Sequence, residues 1–195
     1  MNIKVQENNE KVFKFSISGI TESNANVLRR AAINSVKTFA IDSVTFYENT
    51  SPMFDEYIAH RIGLVPIVTP TSGYKDEDEI LFTAEATGPI TVYSKDLQST
   101  DKEVRVASEG IPIIKLGTGQ RIRIEGKARM GTASKHAKFQ PGHVAVEPTG
   151  DDSFNFYIES FGQMPPKEII CMKSGCGPLP LVRGTSLAPR ALRRP

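Results

Sequence analysis

A chain of 195 residues with 39% hydrophobic and 24% charged side chains can bury a real core and sits near globular averages, which excludes wholesale disorder and leaves open two small domains or one with an insertion. It has no run of about 18 apolar residues for a membrane span, and its opening, MNIKVQENNEK, has neither the basic nor the apolar stretch of a secretory leader, so a cytoplasmic protein without membrane contact is expected. Residues 171–195 carry Lys173, Arg183, Arg190, Arg193 and Arg194 and no acid, leaving 19 basic against 22 acidic side chains elsewhere, a net of −3, which disfavours a strongly basic nucleic-acid-binding body.

In chain order, NIKVQE predicts a strand, Asn8-Asn9 a turn, and KVFKFSISG a second strand with Phe13, Phe15 and Ile17 on one face, together a hairpin. From Thr21, a suitable cap, the pattern turns helical. Leu28, Ala31, Ala32, Ser35 and Val36 recur at i, i+3, i+4, i+7 and i+8, a stripe of mostly small residues that admits close approach of another surface, while Arg29 and Arg30 point elsewhere. FAIDSVTFYEN alternates as a strand. The stretch SPMFDEYIAHRIGLVPI, residues 51–67, predicts a short helix: Ser51 as cap, Pro52 at the first helical position, Asp55 and Glu56 at the positive end, Arg61 at the negative end, and Gly63 just past it. Phe54, Ile58 and Ile62 form its expected buried stripe.

Beyond a polar loop, TPTSGYKDEDE, the chain is β-rich: ILFTAEA, ITVY, KEVRVA, IPIIKL and QRIRIEGKAR read as strands, the last alternating Ile122 and Ile124 with Arg121, Arg123 and Glu125. Residues 132–142 predict an exposed loop carrying Lys135, His136, Lys138 and Phe139. HVAVEP and SFNFYIES are further strands, and Pro165-Pro166-Lys167-Glu168-Ile169-Ile170 begins a helix that Gly175, Gly177 and Pro178 end.

Catalytic signatures are few. No Gly-rich phosphate loop, GxSxG, HExxH or CxxC is present. His60, His136 and His143 have no metal-ligand spacing, so no metal is expected, and Cys171 and Cys176 read as free thiols. A hydrolase using Asp55, Glu56 and His60 needs those groups to converge, yet on a helix Asp55 and His60 stand about 140° apart. A free-standing β-rich nucleic-acid-binding protein would use Arg121, Arg123, Lys135 and Lys138 on a continuous basic face.

Four blocks occur in a telling order: NANVLRRAAINSVKTFAIDSVTFYENTSPMFDEYIAHRIGLVPI, TVYSKDLQS, KHAKFQPG and FYIESFGQMPPKEII. Together, over about residues 2–170, they resemble the archaeal RNA polymerase D subunit family, counterpart of the bacterial alpha N-terminal domain and the eukaryotic third-largest subunit. The resemblance implies an α+β fold in two parts: a discontinuous dimerisation domain from residues 1–45 and 152–195, and a β-rich domain, residues 46–151, inserted into it. It implies a non-catalytic assembly subunit that pairs with a smaller L-type partner and nucleates binding of the large catalytic subunits, touching DNA only indirectly through the complex. The helix stripe of Leu28, Ala31, Ala32, Ser35 and Val36 then becomes the face for the L-type partner. Arg29, Arg30, His60, Arg61, Lys135, His136 and Lys138 become contacts to the large subunits.

Two features depart from the family. Many archaeal members carry a cysteine-rich iron–sulfur domain after the KHAKF loop, whereas here no cysteine lies between Gly142 and Ser153, so that domain and its cofactor are not expected. After about residue 173 a Gly/Pro/Arg sequence replaces the long closing helix of the family, so an irregular ending is expected, with divergence, a shifted reading frame or a cloning scar as its possible origins.

Overall fold

Alternating burial builds the first sheet. The computed structural model describes residues 1–150 and 152–171; the expectations for Gly175, Cys176, Gly177, Pro178 and the arginine-rich ending lie outside the described residues. Strands β1 (Asn2–Asn8) and β2 (Val12–Ser18) form the expected hairpin, and Phe13, Phe15 and Ile17 all face the interior. Helix α1 (Glu22–Asn34) starts where expected, the Thr21 hydroxyl accepting from the Asn24 amide at 3.3 Å. Next come β3 (Lys37–Asn49), α2 (Asp55–Gly63), β4 (Ile80–Thr87), β5 (Ile90–Tyr93), β6 (Gln98–Ser99), β7 (Pro112–Leu116), β8 (Arg121–Thr132), β9 (Gly142–Gly150), β10 (Ser153–Ser160) and α3 (Pro166–Cys171).

The fold is mixed and sheet-rich, with every strand pair among the described residues antiparallel. One four-stranded sheet has the order β1-β2-β10-β9, a second β3-β8-β4-β6, and β5 pairs with β7. The first sheet packs Phe13, Phe15, Ile17, Phe154, Phe156 and Ile158 against Ala25 and Ala32 of α1 and Ile169 and Ile170 of α3. Phe15 and Phe156 stack across the β2–β10 pair, centroids 5.0 Å apart and planes 8° from parallel, a favourable cross-strand aromatic geometry. The second sheet buries Phe39, Ile41, Phe82, Ile122 and Ile124 against Ile58 and Ile62 of α2.

The expected boundaries at 45/46 and 151/152 can be placed on the sheets. β3 pairs with β8 from Lys37 to Asn49, with register shifts at Ile41/Ser43 and Phe46/Glu48, and the boundary after residue 45 falls within that pairing. β9 pairs with β10 from Gly142 to Gly150, so the other boundary, at 151/152, separates two bonded neighbours.

Two local expectations fail for identifiable reasons. KEVRVA forms no strand beyond a single bridge between Val106 and Ile67. The Asp101 carboxylate accepts from the Glu103 amide at 2.8 Å and from the Tyr74 hydroxyl at 2.8 Å, and this Asx-type bond turns the chain where a strand would begin. The same carboxylate pushes the Tyr74 phenol up to about 12. Helix α2 begins at Asp55, three residues later than expected, with Phe54 in the cap position and no side-chain cap. Ser51 instead donates to the Asn49 side chain at 2.6 Å, which leaves Pro52 outside the helix and Phe54 70% exposed rather than buried. Gly63 is the last helical residue, and Leu64 takes the closing position.

Candidate interaction site

Sequence alone points to a basic loop and a helix. The structure joins them through a β-bulge. In β3, Ile41 pairs with Ala128 and Ser43 with Lys127, so Asp42 is the extra residue, without a partner on β8. A bulge re-aims the side chain it carries, and here the Asp42 carboxylate meets the Lys138 ammonium at 2.7 Å. That ammonium also donates to the Ile41 carbonyl at 3.2 Å. The hydrogen bond from Lys138 holds the Asp42 carboxyl below the usual carboxylate range against the opposing effect of burial, with the charges of Lys138, Lys135 and Arg129 adding to the drop.

The loop that supplies Lys138 is anchored rather than free. A 3₁₀ turn spans Ala137–Phe139, and the His136 ring nitrogen Nδ1 accepts from the Lys138 amide at 3.1 Å. Phe139, expected on an exposed loop, is 1% exposed. Its ring lies over Gly131, where a Cβ would stand 2.6–2.7 Å from three ring atoms, so only glycine fits beneath it. The buried Thr38 hydroxyl donates to the Phe139 carbonyl at 2.7 Å.

Between this turn and the C-terminal half of α2 runs a groove of about 220 Å³, lined by Asp42, Ala59, His60, Leu64, His136 and Lys138 among others. Three of the expected large-subunit contacts, His60, His136 and Lys138, therefore share one surface, and Lys135 stands exposed on the same turn. Arg61 does not join them. Its guanidinium donates to the Ile113 carbonyl at 2.8 Å and to the Pro112 carbonyl, fastening α2 to β7, so its first task is internal. Asp42 is the residue that sequence reasoning missed, although an acid set among apolar neighbours in AIDSV was the available signal.

On α1 the expected residues divide. Ala32 and Val36 are 4% and 1% exposed inside the first core, with Leu28 packed against the same cluster; Ala31 is half-buried and Ser35 exposed. The small-residue stripe is thus closed, at its centre, by the chain's own sheet. Ala32→Phe is expected to lower the stability of the isolated chain by about 1–3 kcal/mol through overpacking; a urea midpoint identical to wild type would show that the site has room. Arg30 is exposed, and Arg29 is half-buried with its guanidinium on the Asn26 side-chain oxygen at 2.9 Å.

Neither rival chemistry assembles. Asp55 accepts from Asn49 at 2.7 Å at the entry to α2, whereas His60 lines the groove without Asp55 or Glu56. Of the four side chains needed for a continuous basic face, Lys138 is neutralised by Asp42, and Arg123 sits 5.6 Å from the Tyr47 ring with Glu85 4.0 Å away. Cys171 closes α3 half-buried, and burial pushes its thiol up; Cys176 lies outside the described residues. No helix among the described residues is long and apolar enough to cross a membrane.

The Lys138–Asp42 pair makes a pH prediction. A folded carboxyl held low contributes stability that is present above the unfolded value, about 4, and is lost as pH falls through the folded value. Wild type is expected to exceed Lys138→Met by about 1–2 kcal/mol at pH 7, with the gap closing in urea titrations below about pH 4. A gap independent of pH would show that the pair contributes only packing.

Comparison with known proteins places this sheet-rich chain in a class of polymerase subunits. Residues 32–147 match the family described as the RNA polymerase Rpb3/RpoA insert domain. Among individual proteins, the chain is 47% identical over 148 residues to DNA-directed RNA polymerase subunit Rpo3 of Methanocaldococcus jannaschii, covering 76% of this chain and 75% of that one. It is 41% identical over 150 residues to the Rpo3 subunit of Pyrococcus furiosus and 43% over 140 residues to that of Natronomonas pharaonis. The chain spans 58% and 56% of those two relatives, and 74% and 72% of it is matched. The chain belongs to the Rpo3 family of DNA-directed RNA polymerase subunits.

Proposed function

We propose that the chain is a non-catalytic assembly subunit of an archaeal-type DNA-directed RNA polymerase, which pairs with an L-type subunit and gives the large catalytic subunits a surface to assemble on. The single observation that carries this reading is the extent of the match to Rpo3 subunits, 47% identity over three quarters of both chains in the Methanocaldococcus case. The sheet that joins β1 and β2 to β10 supports a discontinuous dimerisation unit drawn from both halves of the sequence. Drawn by sheet membership, the insert would run from about residue 37 to 141 rather than 46–151.

In this reading the L-type partner meets α1 through residues outside the core, Ala31 and Ser35 with the exposed Val27, while Leu28, Ala32 and Val36 hold the helix in place. The large subunits meet Arg29 and Arg30 on α1 and His60, Lys135 and His136 around the groove, with Lys138 and Arg61 positioning that surface from within. Charged contacts of this kind steer and orient a partner without needing perturbed pKa values. The proposal includes no cofactor, no metal and no direct DNA contact.

Reconstitution tests it: the chain, an L-type subunit and the large subunits are mixed and resolved by size exclusion, and fractions are assayed for templated RNA synthesis and for zinc and iron. A stoichiometric, active complex is expected, with no synthesis by the chain alone. A chain that elutes alone, or that carries one equivalent of metal, would overturn the reading or its cofactor clause respectively.

A further inference from the structure

Between β3 and α2 the usual placement of polar and apolar side chains is inverted. Asn49 donates to the Met53 carbonyl at 2.9 Å and to the Asp55 carboxylate at 2.7 Å, and its own oxygen accepts from the Ser51 amide at 3.1 Å. The Thr50 hydroxyl accepts from the Arg121 amide at 2.7 Å. The polar side chains of the loop are thus spent on its own framework, and the apolar ones are turned outward: Phe54 is 70% exposed, Tyr57 66% and Met53 36%. With Pro52 they line a shallow depression of about 360 Å³. Single exposed apolar residues are ordinary on any surface, but a contiguous aromatic cluster is informative.

This cluster is also held still. Ile58 and Ile62 are fully buried beneath α2, and Arg61 ties the helix to the carbonyls of β7. Aromatic anchors on a pre-ordered framework lose little conformational freedom on binding, which is the property of residues that dominate interface energies. The charged side chains adjoining Phe54 and Tyr57 in the chain are Asp55 and Glu56, both acidic and both exposed in the first turn of α2, with His60 one turn further on. A second copy of this chain would set two acidic rims against each other. Anionic lipid headgroups would meet the same repulsion.

We propose that the Met53–Phe54–Tyr57 surface docks a protein partner that offers an apolar pocket rimmed by lysine or arginine. The proposal rests on the reading of the chain as a polymerase subunit, and it adds to the groove around His60 a separate contact of opposite charge. Hydroxyl-radical footprinting of the full chain, free and within the reconstituted complex, tests it. Oxidation of Met53, Phe54 and Tyr57 is expected to slow about tenfold on assembly, as expected for side chains withdrawn from solvent in an interface core. Glu56→Lys is expected to weaken incorporation with an altered salt dependence, and Phe54→Asp with Tyr57→Asp to block it while leaving the urea midpoint of the isolated chain unchanged.

Equal oxidation rates in the free chain and the assembled complex would overturn the proposal and leave the function standing. Protection that grows with the concentration of the isolated chain would assign the surface to a second copy, and protection lost on deleting residues 172–195 would assign it to the chain's own ending. Either result overturns the partner named above. A chain that never enters the complex overturns both readings.

Discussion

Phe139→Ala is expected to destabilise the chain by about 3–5 kcal/mol, the range for removing a fully buried aromatic ring. The ring fills the space above Gly131, and its removal adds a cavity term to the transfer term. The effect should reach the candidate site, because the Phe139 backbone receives the Thr38 hydroxyl and the adjacent residue carries the Lys138–Asp42 pair. Urea denaturation gives the magnitude, and hydrogen exchange at residues 134–140 gives the local consequence. A loss below about 1 kcal/mol would mean the surrounding structure collapses onto the vacated space.

Arg29→Glu together with Arg30→Glu is expected to abolish incorporation into the polymerase while sparing the fold. Neither guanidinium belongs to the first core, and Arg29 donates both its Nε and its terminal N–H to the Asn26 side-chain oxygen on its own helix, so the isolated chain should keep its stability within about 0.5 kcal/mol. Reversing two charges against a complementary surface costs several kcal/mol, roughly a hundredfold or more in affinity. Competition between variant and wild-type chains during reconstitution measures it. Equal incorporation of the two would remove α1 from the large-subunit contact proposed above.

Much of the secondary structure was legible because burial imposes period two on strands and a cap marks a helix start. Phe13, Phe15 and Ile17 alternate plainly, and Thr21 caps where a hydroxyl was available. The misreadings arose where a side chain could bond to nearby backbone as well as it could cap or continue a strand. Ser51 was free to serve either Asn49 or the helix, and Asp101 could stop the strand that the residues of KEVRVA favoured. Long-range partners were illegible in principle. Phe139 looks like a loop aromatic until Gly131 is placed beneath it, and Asp42 looks like a misfit in a strand until the bulge turns it toward Lys138. Likewise the stripe of α1 showed that a face was apolar without showing that β9 and α3 lie near it.

The pairing of β2 with β10 also governs when the molecule can be completed. Ser18 bonds into the ladder opposite Ser153, so the centre of the first sheet waits for a strand made long after its neighbour. At about 5–20 residues per second this delay is roughly 7–27 s, whereas a hairpin such as β1–β2 forms in microseconds. The β3–β8–β4 ladder lies wholly between the two, so it can finish on the ribosome while the edge of β2 stands exposed. A nascent chain stalled before residue 153 should therefore hold a protease-resistant middle and a labile beginning, and that unfinished edge is where a chaperone would find its target.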